Sequence, residues 1–420
     1  MAYDILIHNG TILTMTGEAE VIEKGFILVK DGVIRYIGQG GAAPGSVDAD
    51  NVFDACSKIV MPGLVNCHTH LPMSMFRGLA DDLPLDVWLN EHIFPAEAAH
   101  VNPESVERFT RHSVKEMLLS GTTCCCDGYF LEESVAGAVI ESGIRAVLGH
   151  GVIDFPAPGV PDHEKNVDAA AGFARKLAGR SSRVQPSIFC HSPYTCSEKT
   201  LVKAKKAADE LGMLFQIHAA ETENENTRIS RSCKTPGSVM DYLDRIGVLD
   251  EKTLLVHSVW VDDRDIRIIR GRGCPVVHCA QSNMKLASGI APVPQMLDAG
   301  ITVGMGTDGC ASNNNHDLFE EMDTVAKLHK CATGNPCATN AETVLKMATI
   351  EGARALGVDG VTGSLEKGKR ADIIMLDLQR PHLVPLYNPF SLLVYAARGS
   401  DVTDVIVDGR VKVRDSVLVP

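Results

Sequence analysis

From Tyr3 to about Met61, short apolar runs alternate with turn residues, as in ILIHNGTILTM and GFILVKDGVIRYIG, and the pattern predicts a series of short strands. Asn9–Gly10 and Asp31–Gly32 have the chemistry of tight hairpin turns. The other end repeats the pattern after Gly363, where ADIIMLDL and VTDVIVDGRVKV read as strands with Asp408–Gly409 as a turn. Neither end is long enough to enclose a sheet core alone. Both are therefore expected to pack together as one β-sandwich formed by the two termini.

The middle of the chain has a different rhythm. VERFTRHSVKEMLLSG reads as a helix closed by Gly121, and TTCCCD follows as a strand. IRAVLGH, RVQPSIFCH, MLFQIHAAE, LLVHSV, CPVVHC and ITVGMGTD continue the series, most of them after helical segments such as KTLVKAKKAADELG. Repeated strand-then-helix units over this length predict an α/β architecture with a (β/α)8 TIM barrel at 62–363, flanked by the sandwich segments 1–61 and 364–420. A doubly wound open sheet is the alternative, but no glycine-rich dinucleotide fingerprint supports it.

Composition agrees with a large globular chain: 420 residues, 45% hydrophobic and 22% charged, enough for a barrel and an accessory domain. The 40 lysines and arginines are outnumbered by 53 acids, and a net charge of −13 argues against nucleic acid or an anionic membrane as the main partner. Thirteen cysteines are scattered, three of them consecutive at Cys124–Cys126, which suits no ordinary disulfide framework. We read them as mostly reduced and buried in a cytoplasmic protein, with a thiol metal site as the weaker option. The opening MAYDILIHNG shows no secretory pattern, and no apolar run is long enough to cross a bilayer. Oligomeric state stays open, a homo-oligomer included.

The candidate chemistry begins at MPGLVNCHTH. Side chains at i and i+2 of a strand point the same way, so His68 and His70 can bind one cation from a strand end. An isolated HxH is often incidental; later strand ends decide whether it is here. His191, His218, His257 and Asp308 each fall at such an end, where a barrel carries its chemistry. Singly, each could be a hydrogen-bonded core residue. Together, His68, His70, His218 and Asp308 would hold one divalent ion, with a position open for water. Thr302, Gly304, Gly306 and Asp308 are expected on one strand face, the small residues leaving room above the barrel floor. Glu221, three residues after His218, could carry protons, although Glu223 and Glu225 nearby also permit a solvated loop acid. His257 could contact the water or serve as a fifth ligand.

With PGLVNCHTH, SMFRGLADDLPLDVWLNEHIFPAE, HSPYTCSE, HAAET, HCAQSNMKLASGIAP, GTDGCASNNNHDL and GSLEKGKRADI, the chain resembles the metal-dependent amidohydrolase superfamily over essentially its whole length. Within that superfamily it resembles the 5-methylthioadenosine/S-adenosylhomocysteine deaminases. The resemblance implies a distorted barrel with a two-terminal β-sandwich and hydrolytic deamination of an adenine nucleoside. It places metal ligands at His68, His70, His218 and Asp308, the general acid/base at Glu221 and a water-orienting histidine at His257. Glu97 matches the acid that binds ribose hydroxyls, and His191 a substrate-contacting histidine. Trp88 and Met75 suit either pocket walls or the core. Zinc is the metal the family implies; ferrous iron and manganese suit the same donors.

The sequence departs from family patterns at two places. No lysine follows His191's strand, which favours one metal over two, and the loop HGVIDFPAPGVPDH lacks the arginine that some members use for a homocysteine carboxylate. Two rival readings are a hydrolase of another amino- or chloro-heteroaromatic ring (triazine, guanine or cytosine) and a non-catalytic barrel scaffold.

Overall fold

A computed structural model describes residues 3–16, 20–40, 47–233 and 237–419, so the extreme ends of the two terminal segments lie outside the described residues. Eight parallel strands follow one another in sequence order: Leu64–Thr69, Thr122–Tyr129, Arg145–Val152, Val184–Cys190, Leu214–Ala219, Thr253–His257, Val276–His278 and Val303–Met305. Helices fill the connections. Pro103–Leu119 starts at an Asn102–Ser105 capping box, and Glu198–Leu211 starts at Ser197, whose side chain accepts from Thr200 N–H.

The first and last strands close the barrel through a single parallel bridge between Thr69 and Asp308, where the Asp308 N–H donates to the His68 carbonyl at 3.0 Å. This closure revises the expected geometry of the last strand. Regular pairing stops at Met305 and Asp308 adopts a φ of 61°, so its direction comes from a turn and not from strand alternation. Nor does Gly306 leave open space. A Cβ there would stand 2.9 Å from the His68 backbone nitrogen, so glycine is what lets the two edges meet.

The cysteine triplet sits in the second barrel strand. Cys124 and Cys126 pack with Val65, Val147 and Val256, whereas Cys125 joins Val114 and Val139 of the surrounding helices. Side chains on opposite faces of a strand cannot share a metal. Burial pushes the Cys124 thiol up to about 12, away from thiolate chemistry.

Strands from both termini form one nine-stranded sheet, joined where Lys58–Pro62 pairs antiparallel with Ile373–Asp377. Two-residue alternation divides its side chains. Val60, Ile373 and Met375 enter the sheet's own core with Ile7 and Ile27, while Ile59, Met61 and Ile374 pack into the barrel's core. Asp31–Gly32 and Asp408–Gly409 are turns with positive φ, as expected. Asn9–Gly10 is not a turn. It lies within the strand Tyr3–Leu13, at a register shift where Asn9 takes a φ of 65°, and is a β-bulge.

One helical stretch, Leu85–His100, runs beside the barrel mouth and changes from α to π geometry over Trp88–Ile93. The widened turn ends just before Pro95, which has no N–H to offer the carbonyl four residues back. None of the helices among the described residues is long and apolar enough to cross a membrane.

Candidate active site

Four side chains from three separate segments converge at the barrel mouth. His68, His70, His218 and Asp308 each offer one ligand atom, and these atoms lie within 4.8 Å of one another. His68 Nε2 faces His218 Nε2 at 3.0 Å, and Asp308 Oδ1 lies 3.4 Å from His68 Nε2 and 3.3 Å from His70 Nε2. Ligands held tetrahedrally at ~2.0–2.2 Å from zinc stand roughly 3.3–3.6 Å apart, so the donor set fits such an ion. The neighbours fix its orientation. His70 Nδ1 donates to the Gly128 carbonyl at 2.6 Å, which leaves Nε2 as the unprotonated nitrogen facing the centre. Ser282 and Ser312 hydroxyls donate to Asp308 Oδ2 at 2.7 and 3.0 Å, and the Gly309 N–H donates to Oδ1 at 2.8 Å.

Glu221 stands beside this cluster, its Oε2 3.9 Å from His257 Nε2. It is buried, not a solvated loop acid. Burial, followed by the charge of Asp308, pushes its carboxyl up to about 8. Glu225, which had suggested an exposed acidic turn, is itself buried and accepts the N–H groups of Ala220, Glu221 and Thr222 at 3.0, 2.8 and 3.2 Å. It holds the turn that aims Glu221. His257 is fixed in turn by Asn283, whose Oδ1 lies 2.9 Å from Nδ1 and leaves Nε2 toward the cavity.

The cavity extends away from the histidines along the helical stretch, and Glu97, His191, Glu221, His257 and Asp308 all line it. Glu97 is buried and accepts the Tyr129 hydroxyl at 2.6 Å; burial pushes its carboxyl up to about 7. His191 has Nδ1 2.9 Å from Thr195 Oγ1, and burial lowers it to about 3, so it is neutral. Trp88 lines the cavity as expected, but Met75 does not. Met73 lines it instead, and Met75 packs against the same apolar cluster without reaching the cavity.

A model of the amidohydrolase family matches residues 59–412, most of the chain. The chain belongs to the amidohydrolase family. Among its relatives is 5-methylthioadenosine/S-adenosylhomocysteine deaminase 1 of Syntrophus aciditrophicus, 43% identical over 418 residues that cover 99% of this chain and 93% of the relative. Another is the 5'-deoxyadenosine deaminase of Methanosarcina mazei, 45% identical over 413 residues, 98% of this chain and 93% of that protein. A crystal structure of an adenosine deaminase from Xanthomonas campestris with bound zinc superposes with a TM-score of 0.96 at 36% identity, covering 100% of this chain and 94% of that one.

For this amidohydrolase, sequence reasoning missed Tyr129, Asn283, Ser282, Ser312 and Glu225. Asn283, Ser282 and Ser312 lie inside HCAQSNMKLASGIAP and GTDGCASNNNHDL, stretches that stand out as motifs but carry no ligand-like spacing. Tyr129 ends a strand that looks entirely structural, and only its contact with Glu97 marks it.

Proposed function

We propose that this amidohydrolase hydrolyses an adenine nucleoside to the inosine analogue and ammonia, with His68, His70, His218 and Asp308 holding one divalent ion, zinc before iron(II) or manganese. The observation that carries the reading is the placement of Glu221 and His257 beside the four donor atoms, with Glu97 and Tyr129 further along the same cavity. Names of relatives across the full chain support an adenine nucleoside as substrate. An ion held here supplies the Lewis acidity that makes water nucleophilic near neutral pH.

The remaining steps belong to the chain's own side chains. Water adds its oxygen to ring carbon 6; Glu221 takes the proton released and gives it to the adjacent ring nitrogen. Burial favours the neutral form of Glu221 while a cation beside it favours the carboxylate, and the opposition of the two lets one group both take and give a proton. His257, held by Asn283, steadies the oxygen on the tetrahedral carbon. Asp308 takes the second proton from the new hydroxyl on carbon 6 and, with Glu221, passes it to the amino group; the carbon–nitrogen bond breaks, the oxygen on carbon 6 becomes the carbonyl, and ammonia leaves. Glu97 accepts the ribose hydroxyls, and neutral His191 contacts the base.

The test is a panel of adenosine, 5'-deoxyadenosine, methylthioadenosine, S-adenosylhomocysteine, guanine, cytosine and a chlorotriazine, read by ammonia and chloride release on protein of measured metal content. Turnover of the adenine nucleosides with about one ion per chain is expected. Turnover confined to the other rings would replace this reading with the heteroaromatic rival; no turnover in metal-replete protein would leave a scaffold.

A further inference from the structure

We propose that the ion pair between Arg228 and Asp86 makes the 5' end of this pocket selective for nucleosides whose 5' substituent carries no charge. The inference rests on the adenine-nucleoside reading and names what that site rejects. Beyond Glu97 the wall is apolar: Leu85, Trp88, Leu89, Ile93 and Phe94 precede it on one helical stretch and line the cavity, with Leu286 opposite. At ~1.5 Å of rise per residue, that stretch carries the wall well over 10 Å from Glu97 to Leu85, longer than the roughly 6–7 Å of an extended butylthio chain. Among the described residues no lysine or arginine lines this cavity, and its acids are Glu97, Glu221 and Asp308.

A guanidinium does stand just outside. Arg228 lies over the ring of Tyr194, 5.5 Å from its centroid, and Tyr194 lines the cavity. Its Nη2 donates to both oxygens of Asp86 at 2.9 and 3.0 Å, and Asp86 is the neighbour of the wall residue Leu85. Both side chains are about half-exposed, so Asp86 and solvent together balance the positive charge before any substrate arrives. A carboxylate arriving along the apolar wall would lose water and gain no uncompensated cation, while a methyl or alkylthio group loses nothing. The charge of a divalent ion would act at the histidine end of the pocket, where Asp308 offsets half of it. Asp86 is in this account a specificity determinant that acts through Arg228.

The experiment compares two substrates of matched length, 5'-butylthio-5'-deoxyadenosine and its 5'-(3-carboxypropylthio) counterpart, which differ by a carboxylate in place of a methyl. The ratio of their kcat/KM values cancels any general effect on folding. In the wild type the uncharged compound is expected to be favoured by roughly tenfold or more, mainly through KM. Asp86→Asn keeps a hydrogen-bond partner for Arg228 and removes the balancing charge, and should shrink the ratio several-fold; adding Arg228→Gln should restore it. A wild-type ratio near one, or a ratio that Asp86→Asn leaves unchanged, would overturn the proposal while 5'-deoxyadenosine turnover upheld the parent reading. Loss of turnover on every adenine nucleoside would overturn both.

Discussion

At the histidine end of the cavity, each side chain that faces the centre issues from a strand end or closing turn, and three are held from behind: His70 by the Gly128 carbonyl, His257 by Asn283, and Asp308 by Ser282, Ser312 and the Gly309 N–H. The opposite end is a single helix with a π turn, apolar and half-exposed, joined to the rest by the ion pair of Arg228 and Asp86. The first region brings four ligand atoms within 4.8 Å of one another, an arrangement on which the chemistry depends. The second presents a wall whose shape matters more than any one contact, and π turns recur at such functional places. Conversion should therefore be lost abruptly by changes at the first region, and changes at the second should mostly retune which molecule is accepted.

The strongest way to break that contrast is Asp308→Ala, expected to abolish ion binding and lower kcat/KM by at least roughly a thousandfold, measured by metal analysis beside steady-state kinetics. Retained metal with near-normal rates would erase the distinction. Glu221→Gln comes next: kcat should fall roughly a hundredfold or more with metal content unchanged, which separates proton carriage from ion holding. Glu97 lies between the regions and supplies a pH test. Its carboxyl titrates near 7, so it is protonated below that pH and accepts ribose hydroxyls poorly; it is ionised above. Inhibition by inosine should weaken as pH falls through about 7, while inhibition by hypoxanthine should not follow it. Glu97→Gln should flatten the difference, and parallel profiles would remove Glu97 from ribose binding. The smallest effect belongs to Trp88→Ala, with KM raised about three- to tenfold for a methylthio nucleoside and kcat nearly kept. A collapse of kcat would show that the helix also disciplines the reacting groups.

The same contrast explains what could be read from the residues alone. Histidines at strand ends follow a two-residue period and barrel logic, so His68, His70, His218 and His257 were visible as a set before any fold was known. Asp308 reaches the site by a route that alternation does not describe, because the chain leaves the strand after Met305 and a turn residue with φ of 61° sets its direction. Asn9–Gly10 misled in a similar way, because positive φ serves a bulge as well as a turn, and only the paired strand distinguishes them. Glu225 looked solvated because its burial comes from long-range packing that composition does not encode. Glu97 was identified by resemblance only, since an acid on a short helix has no periodic mark of its own. Met75 suits a wall or a core by its chemistry alone, and only the 3-10 turn at Leu71–Phe76, which presents Met73 to the cavity, decides for the core.

The bridge between Thr69 and Asp308 has a consequence for how the protein is made. A growing polypeptide emerging from the ribosome exposes its first two candidate ligands long before Asp308 exists, and the edge strand bearing them has no neighbour on that side until the eighth strand is synthesised. Docking of the eighth strand therefore completes the donor set and closes the barrel in the same event.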